Sequence, residues 1–462
     1  MNIRNEFQVV VLAAGKGSRM PELTTHKPKC LLPIGGKPMI WYPLHKLQQS
    51  GFTDVILIVC DKDKTDIHSA LEKTELTIKI DYVTIQSTDG EWGTAQSLCS
   101  IADKIKLDLI IVSCDLITNM DFAEVLHVFR KHDATLASLY FPPNIQDNVQ
   151  IPGPKGKYKP ERDLIGVDSQ TNRLVFLAST SDFESDVCIP LNLFRKHPGV
   201  KMFSNLLDSH FYVMKNWLLK YMHEKDKYTT FKGEFLPHAL KQQFKRKSCD
   251  QAKIESNVSE IKNVKTEDIF DFHKESALEK KIREANAYND HIGDLKGAYH
   301  DDSVRCYAII TDPGVIGVRV NTLQAYWSIN AKIATEWEKL FGDNLPLVQV
   351  DPKSKNSIKS TQVDNCFIWD GVTLNEKTSF KNSIIGSNTE VASFSRVINS
   401  VIMNNVKIHE RVVIENCIIC DDVVINSNSK LEGSIIGSKQ NLPAESEHSK
   451  EVLTDTTILI DN

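Results

Sequence analysis

Residues Leu12–Met20 read LAAGKGSRM, and Pro28-Lys29, Leu31-Leu32-Pro33 and Lys37-Pro38 follow at fixed distance. Val9 to Leu12 is an apolar run of strand type that breaks off into small residues and glycines. The chain therefore turns sharply there and presents backbone N–H groups to an anion. Gly15 and Gly17 permit close backbone approach, Arg19 offers a planar fork for phosphate oxygens, and Lys29 adds a second positive charge. The spacing is neither of the two common phosphate loops. No Gly-Lys-Ser/Thr opens a helix, and Met20 stands where the dinucleotide fingerprint needs its third glycine. The stretch is built to hold a nucleoside triphosphate at the end of the first strand of an α/β domain.

Around it, strand-like runs alternate with helical segments up to about Tyr140. Val55 to Cys60, Ile78 to Ile85, Leu109 to Cys114 and Thr135 to Tyr140 read as strands, with Trp41 to Ser50 and Asp121 to His132 among the helices. The alternation predicts a doubly wound, mostly parallel sheet, in which ligands sit at the carboxyl ends of the strands. A further section from Asp163 to Met214, extended around Leu174 to Leu177 and His210 to Met214, forms the substrate side of the cleft in this reading. Residues 241–300 turn charged and apolar-poor, which suggests a solvated insertion with a short helix near Ser276 to Ala285. Ordered sequence resumes with a strand at Val304 to Ile310 and a helix from Leu323 to Ile333. The expected division is a first domain over 1–335 with its insertion, a linker over 336–364, a repeat domain over 365–440 and a tail over 441–462.

The repeat domain rests on seventeen-residue units beginning at Asn365, Asn382, Asn399 and Asn416, with a fifth start at Gly433. Apolar residues recur in the third and fourth slots: Phe367/Ile368, Ile384/Ile385, Val401/Ile402, Ile418/Ile419 and Ile435/Ile436. A period near three hexapeptides, rich in Ile and Val, is the pattern of a left-handed parallel β-helix with one triangular coil per repeat. Cys417 and Cys420 fall in slots otherwise held by Ser, Gly and Met, which favours coil packing over metal or redox chemistry. The apolar end around Ile458-Leu459-Ile460 is expected to cover the last open coil or dock on a neighbour.

Length allows two or three domains, with 41% hydrophobic and 25% charged residues among 462. A formal net charge of −5 without a long basic block argues against direct nucleic-acid binding. No apolar stretch approaches a membrane span, the first residues lack the core of a signal peptide, and ten scattered cysteines suit a reducing compartment. The cytosol is the expected location.

The run from Leu12 to Pro38 resembles the signature of the nucleoside-diphosphate-sugar pyrophosphorylases, and several members of that family also carry a C-terminal β-helix. The resemblance implies a nucleotidyltransferase-like fold, a base-contacting Gly-Thr-Ala segment at Gly93-Thr94-Ala95, and Mg²⁺ held by two aspartates. Asp115, at the end of the strand Leu109 to Cys114, takes the place of the first. The second belongs to a family pattern matched by Gly317 to Tyr326, where Thr322 and Tyr326 keep the register and Arg319 falls on the aspartate. A guanidinium there opposes the metal by several kcal/mol even at high effective dielectric. The segment Arg173 to Ser179 also lacks the lysine expected for the sugar phosphate, and His210, in a strand where the family has a small residue, reads as structural.

Loss of the site with retention of the scaffold, together with LLPIGGKPMIWYPL, SCDLIT (Ser113 to Thr118), RDLIGVDS (Arg162 to Ser169) and VRCYAI (Val304 to Ile309), is similar to the gamma-subunit family of the eukaryotic translation initiation factor 2B complex. What that resemblance implies is a non-catalytic subunit of a guanine-nucleotide exchange factor, partnered by the epsilon subunit, the other subunits and initiation factor 2. Gly15, Gly17, Arg19, Lys29, Gly93 and Thr94 would be the remnant nucleotide site, Asp115 the remnant metal ligand, and no cofactor would be required, with nucleotide and Mg²⁺ as candidates. The competing reading is an active sugar-phosphate nucleotidyltransferase of the mannose-1-phosphate guanylyltransferase type.

Overall fold

The structure, a computed structural model, describes residues 3–86, 92–143, 151–154, 163–179, 186–245, 268–273, 277–278, 281, 285, 302–342, 345–360 and 362–454. The first half is built from β1 (Phe7–Leu12), β2 (Pro33–Ile34), β3 (Lys37–Pro38), β4 (Asp54–Cys60), β5 (Lys79–Ile85), β6 (Asp108–Ser113), β7 (Leu116–Thr118), β8 (Leu136–Phe141), β9 (Asp163–Asp168), β10 (Leu174–Ser179), β11 (Val200–Phe203), β12 (Leu207–Met214), β13 (Cys306–Ile310) and β14 (Gly317–Arg319). Seven of them form one sheet in the order β13-β8-β12-β6-β1-β4-β5, parallel except for β12.

Strand alternation divides the apolar side chains between the two faces. Val9, Val11, Leu57, Val59, Ile110 and Val112 meet the helices Trp41–Gln49, Lys64–Glu72 and Phe122–Lys131 on one side. Val10, Ile58, Leu109 and Ile111 meet Thr94–Cys99, Asn216–Lys225 and Leu236–Gln242 on the other. The sheet is thus doubly wound, as its sequence pattern predicts. β10-β9-β11 form a separate antiparallel sheet, and β14 pairs with β7.

The second half stacks short parallel strands into three sheets, with Phe367, Ile384, Val401, Ile418, Ile435 and Val452 in register down one of them. Each repeat begins in a left-handed corner: Asn365, Asn382, Asn399 and Asn416 have φ between +45° and +55°, and Gly433 has +59°. Asparagine and glycine tolerate that region best, which explains the residue that opens each unit. The asparagine amides also form a ladder from coil to coil, at 2.9, 3.1 and 3.4 Å.

The paired apolar slots have separate destinations. Ile368, Ile385, Ile402, Ile419 and Ile436 fill the interior of the coil. Phe367, Ile384, Val401, Ile418 and Ile435 point outward, yet none is more than 3% exposed, because they share a core with Met20, Leu23, Ile34, Trp41, Trp337 and Phe341 of the first half. Polar contacts pin the same junction: Trp369 Nε1 donates to the Gly35 carbonyl at 3.0 Å, and Lys27 lies 3.0 Å from Asp421.

Boundaries differ from expectation in two places. The helix after β14 runs Leu323–Phe341, through the expected boundary at 335, because Trp337, Leu340 and Phe341 continue its buried stripe. Coil strands continue past 440 through Asn441–Leu442, Glu447–Ser449 and Val452–Leu453, so most of the expected tail is a further coil with a polar outer face. Most of the 241–300 insertion, most of its Ser276 to Ala285 helix, and Ile458 to Ile460 lie outside the described residues. Among the described residues no helix is long and apolar enough to cross a membrane.

Candidate functional site

The glycine loop leaves the carboxyl end of β1 between two parallel neighbours. Ala13 N–H donates to the Ile58 carbonyl at 2.9 Å and Cys114 N–H to the Leu12 carbonyl at 3.1 Å, so the loop is rooted on both sides. Its exposed part is Gly15, Lys16, Ser18 and Arg19. A side chain at Gly15 would meet nothing within 4 Å, which leaves the backbone open to a ligand. Gly17 has φ +75°, and a Cβ there would stand 2.7 Å from Thr24 Cγ2, so here glycine is required by both conformation and space. Thr24 Oγ1 in turn donates to the Gly17 carbonyl at 3.1 Å.

Below the loop lies Asp115, which follows β6 and is 1% exposed. Lys29 Nζ hydrogen-bonds its Oδ2. The β14–β7 pairing sets Arg319 opposite Leu116, and its Nε lies 3.4 Å from the Asp115 carboxylate. Burial pushes the Asp115 carboxyl up, but Lys29, then Arg319, with hydrogen bonds from Lys29 and Ser113, outweigh it and hold the group well below the usual carboxylate range. The backbone ties the same two segments, Val320 N–H donating to the Asp115 carbonyl at 2.9 Å. Three residues singled out in the sequence, Lys29, Asp115 and Arg319, therefore meet.

A divalent magnesium ion needs near-octahedral oxygen ligands, usually including one or two carboxylates. Here the one carboxylate faces two side-chain cations, Lys29 and Arg319, which repel a dication from it. The residues present do not fit Mg²⁺.

Gly93 and Thr94 are half-buried and pack against a second segment. Gly93 precedes the helix Thr94–Cys99, and a Cβ on it would stand 2.0 Å from the Thr229 carbonyl oxygen. Ala95 N–H donates to that same oxygen at 3.0 Å, and Phe231 N–H donates to Thr94 Oγ1 at 2.8 Å. Close packing against the Thr229–Phe231 backbone accounts for both residue types.

His210 sits in a bulge of β12 with φ +51°, its N–H held by Asp208 Oδ1 at 2.8 Å. Burial, then Arg319 and Lys232, hold its imidazole well below the ordinary range; Asp115 opposes and Lys29 adds to the shift. Its Nε2 is buried without a hydrogen-bond partner among the described residues. Lys232, which nothing in the sequence marked, reaches the same neighbourhood from the turn Phe231–Phe235 and lies 2.7 Å from Asp163. Arg173, at the head of the strand without the expected lysine, is fully buried on Gln243 and Asp302. The two repeat cysteines diverge: Cys417 Sγ accepts from Ser434 N–H at 3.4 Å in a ladder shared with Ser400, while Cys420 faces the junction.

Comparison with known proteins agrees with both halves. Residues 8–149 match the nucleotidyl transferase family, and residues 352–455 match the GlmU-like C-terminal hexapeptide family. The chain is 29% identical over 334 residues to translation initiation factor eIF2B subunit gamma of Schizosaccharomyces pombe, covering 71% of this chain and 66% of that one. It is 32% identical over 244 residues to the Caenorhabditis elegans gamma subunit, covering 52% and 59%. It is 26% identical over 416 residues to the Dictyostelium discoideum gamma subunit, covering 84% and 89%. The matched region thus spans less than two thirds of the first two relatives and most of the third. The chain thus carries a nucleotidyl transferase match followed by a hexapeptide-repeat match, and over most of its length it is similar to eIF2B gamma subunits.

Proposed function

We propose that the chain is a non-catalytic subunit of an eIF2B-type guanine-nucleotide exchange factor acting in the cytosol. In this reading it pairs with an epsilon-type subunit and supports GDP release and GTP loading on initiation factor 2. The observation that carries the loss of catalysis is the Lys29–Asp115–Arg319 cluster: the carboxylate that a pyrophosphorylase would turn to Mg²⁺ is turned to two cations of the chain itself. Nucleotidyl transfer releases pyrophosphate, and without a dication the charge developing on the α-phosphate lacks its usual neutralisation. The doubly wound domain and the coil then serve as docking surfaces.

The test uses the purified chain alone and with candidate partners. Pyrophosphate release from GTP plus mannose 1-phosphate and other sugar phosphates is measured beside GDP release from initiation factor 2. No turnover by the chain alone, with accelerated GDP release by the assembled complex, is the expected result. Metal-dependent turnover by the isolated chain overturns the proposal in favour of an active sugar-phosphate nucleotidyltransferase.

A further inference from the structure

The charged insertion meets the sheet domain at residues 268–273, which read DIFDFH, with Ile269–Phe272 forming a single helical turn. A capping box closes the turn on itself: Ile269 N–H donates to Asp268 Oδ1 at 2.7 Å and Asp268 N–H to Asp271 Oδ2 at 2.8 Å. Four residues do not hold a helix alone, so the turn depends on what it lies against. That support is the helix Asn216–Lys225. Ile269 is 1% exposed and enters the core that holds Leu218, Tyr221 and Met222, while Phe270 and Phe272 are half-buried against the same core. Phe272 meets Tyr221 edge-on at 5.4 Å between ring centres, and His273 meets Trp217 in the same way at 5.3 Å. Tyr221 is also fixed from the helix Leu236–Gln242, its hydroxyl 3.0 Å from His238 Nε2, so this wall of the groove is held without help from the turn. Among the described residues the hydrogen bonds of Asp268, Ile269 and Asp271 stay within the turn, so side-chain burial is what attaches it.

Leaving the groove does not require the domain to open, because both ends of the insertion are clamped. Arg173 Nη2 donates to Gln243 Oε1 at 2.8 Å and to Asp302 Oδ2 at 2.9 Å. Lys196 Nζ donates to the Gln243 carbonyl at 2.8 Å and to the Asp302 carboxylate. The two buried cations thus hold Gln243, before the insertion, beside Asp302, after it. We infer that the groove along Trp217 and Tyr221 is a docking site for a short acidic, phenylalanine-rich helical turn, which residues 268–273 occupy in cis and which a partner segment of the same chemistry, an aspartate cap followed by Ile and Phe, displaces in trans. One buried isoleucine and two half-buried rings stand against the entropy of ordering six residues, so the closed and open states lie close in free energy. Attachment to the chain concentrates the turn at the groove, and a free segment competes at a disadvantage until the cis copy is removed.

The experiment titrates a fluorescein-labelled peptide of residues 264–277 with the full chain and follows fluorescence anisotropy. Ile269→Ser combined with Phe272→Ser frees the groove, and this variant should bind the peptide about tenfold or more tightly than the unmodified chain does. Adding Trp217→Ala should abolish that gain, and a peptide carrying the same two serines should bind neither protein. Near-UV circular dichroism confirms that each variant is folded. If the first is not, Phe270→Ser combined with Phe272→Ser, which leaves Ile269 in the core, takes its place. Absence of peptide binding to the folded, freed variant would overturn the inference. Equal binding to the freed and unmodified chains, or binding that survives Trp217→Ala, would overturn it as well.

Discussion

Replacing Ile418 and its neighbour Ile419, one at a time, separates the two cores that meet in the coil. Both side chains are fully buried, adjacent on one strand, and identical in chemistry. Ile419 lies inside the coil between Ile402 and Ile436, while Ile418 belongs to the junction with Met20, Trp41, Trp337 and Phe341. Truncation to alanine removes about three carbons, about 2–3 kcal/mol at ~0.8 kcal/mol each. The unfilled cavity brings the total to about 2–5 kcal/mol. That cost should be similar for Ile418→Ala and Ile419→Ala but should fall on different equilibria. Ile419→Ala weakens the coil, whereas Ile418→Ala weakens docking of the coil on the sheet domain. Ile418→Asp, which buries an unpaired charge in the junction, makes the contrast larger. Urea unfolding is followed by far-ultraviolet circular dichroism and by tryptophan fluorescence, to which Trp41 and Trp337 in the junction contribute. For Ile418→Asp, fluorescence should shift at lower urea than the loss of β signal; for Ile419→Ala the two should move together. A single coincident transition for Ile418→Asp at the unmodified midpoint would refute the assignment of the third slot to the junction.

Acid stability gives a second check. The Asp115 carboxyl is held below its ordinary range, so its contribution is present above the unfolded value near about 4 and is lost as pH falls toward the folded value, with a slope of up to about 1.4 kcal/mol per pH unit. Arg319→Met removes one of the two attractions and raises the folded value, so urea midpoints should depend less steeply on acid; an unchanged acid limb contradicts the ion cluster. Gly93→Ala should destabilise by about 1–3 kcal/mol or more, since its Cβ meets the Thr229 carbonyl oxygen at 2.0 Å, while Gly15→Ala should stay within about 0.5 kcal/mol. Equal melting temperatures for the two alanine variants would count against the close approach of Thr229 to Gly93.

Much of the architecture was legible because it is written in local periodicity. The alternation that places Val9 and Val11 on one face and Val10 on the other follows from the pleat of a single strand, and the seventeen-residue step recurs as parallel register between Phe367, Ile384 and Val401. The candidate site was legible in part. Arg319 could be placed opposite Asp115 through the motif register of Thr322 and Tyr326, but its approach to the same carboxylate as Lys29 had no local sign. Gly93 and Thr94 also pack against a backbone segment over 130 positions away, Phe231 lying 137 residues beyond Thr94, a contact with no local sign. Lys232 left no signal at all, since one lysine among many acquires meaning only from the acid it meets.

Residue order alone specified the doubly wound sheet, the coil repeat and the glycine turn, because each depends on backbone stereochemistry within a few residues. Chain packing settled the rest. It chose which of two adjacent isoleucines faces the sheet domain, carried the coil on to Leu453, and brought Lys29 and Arg319, 86 and 204 residues from Asp115, onto a single buried carboxylate. Those outcomes depend on where distant segments come to rest, and on the cost of leaving a buried charge unpaired once they have.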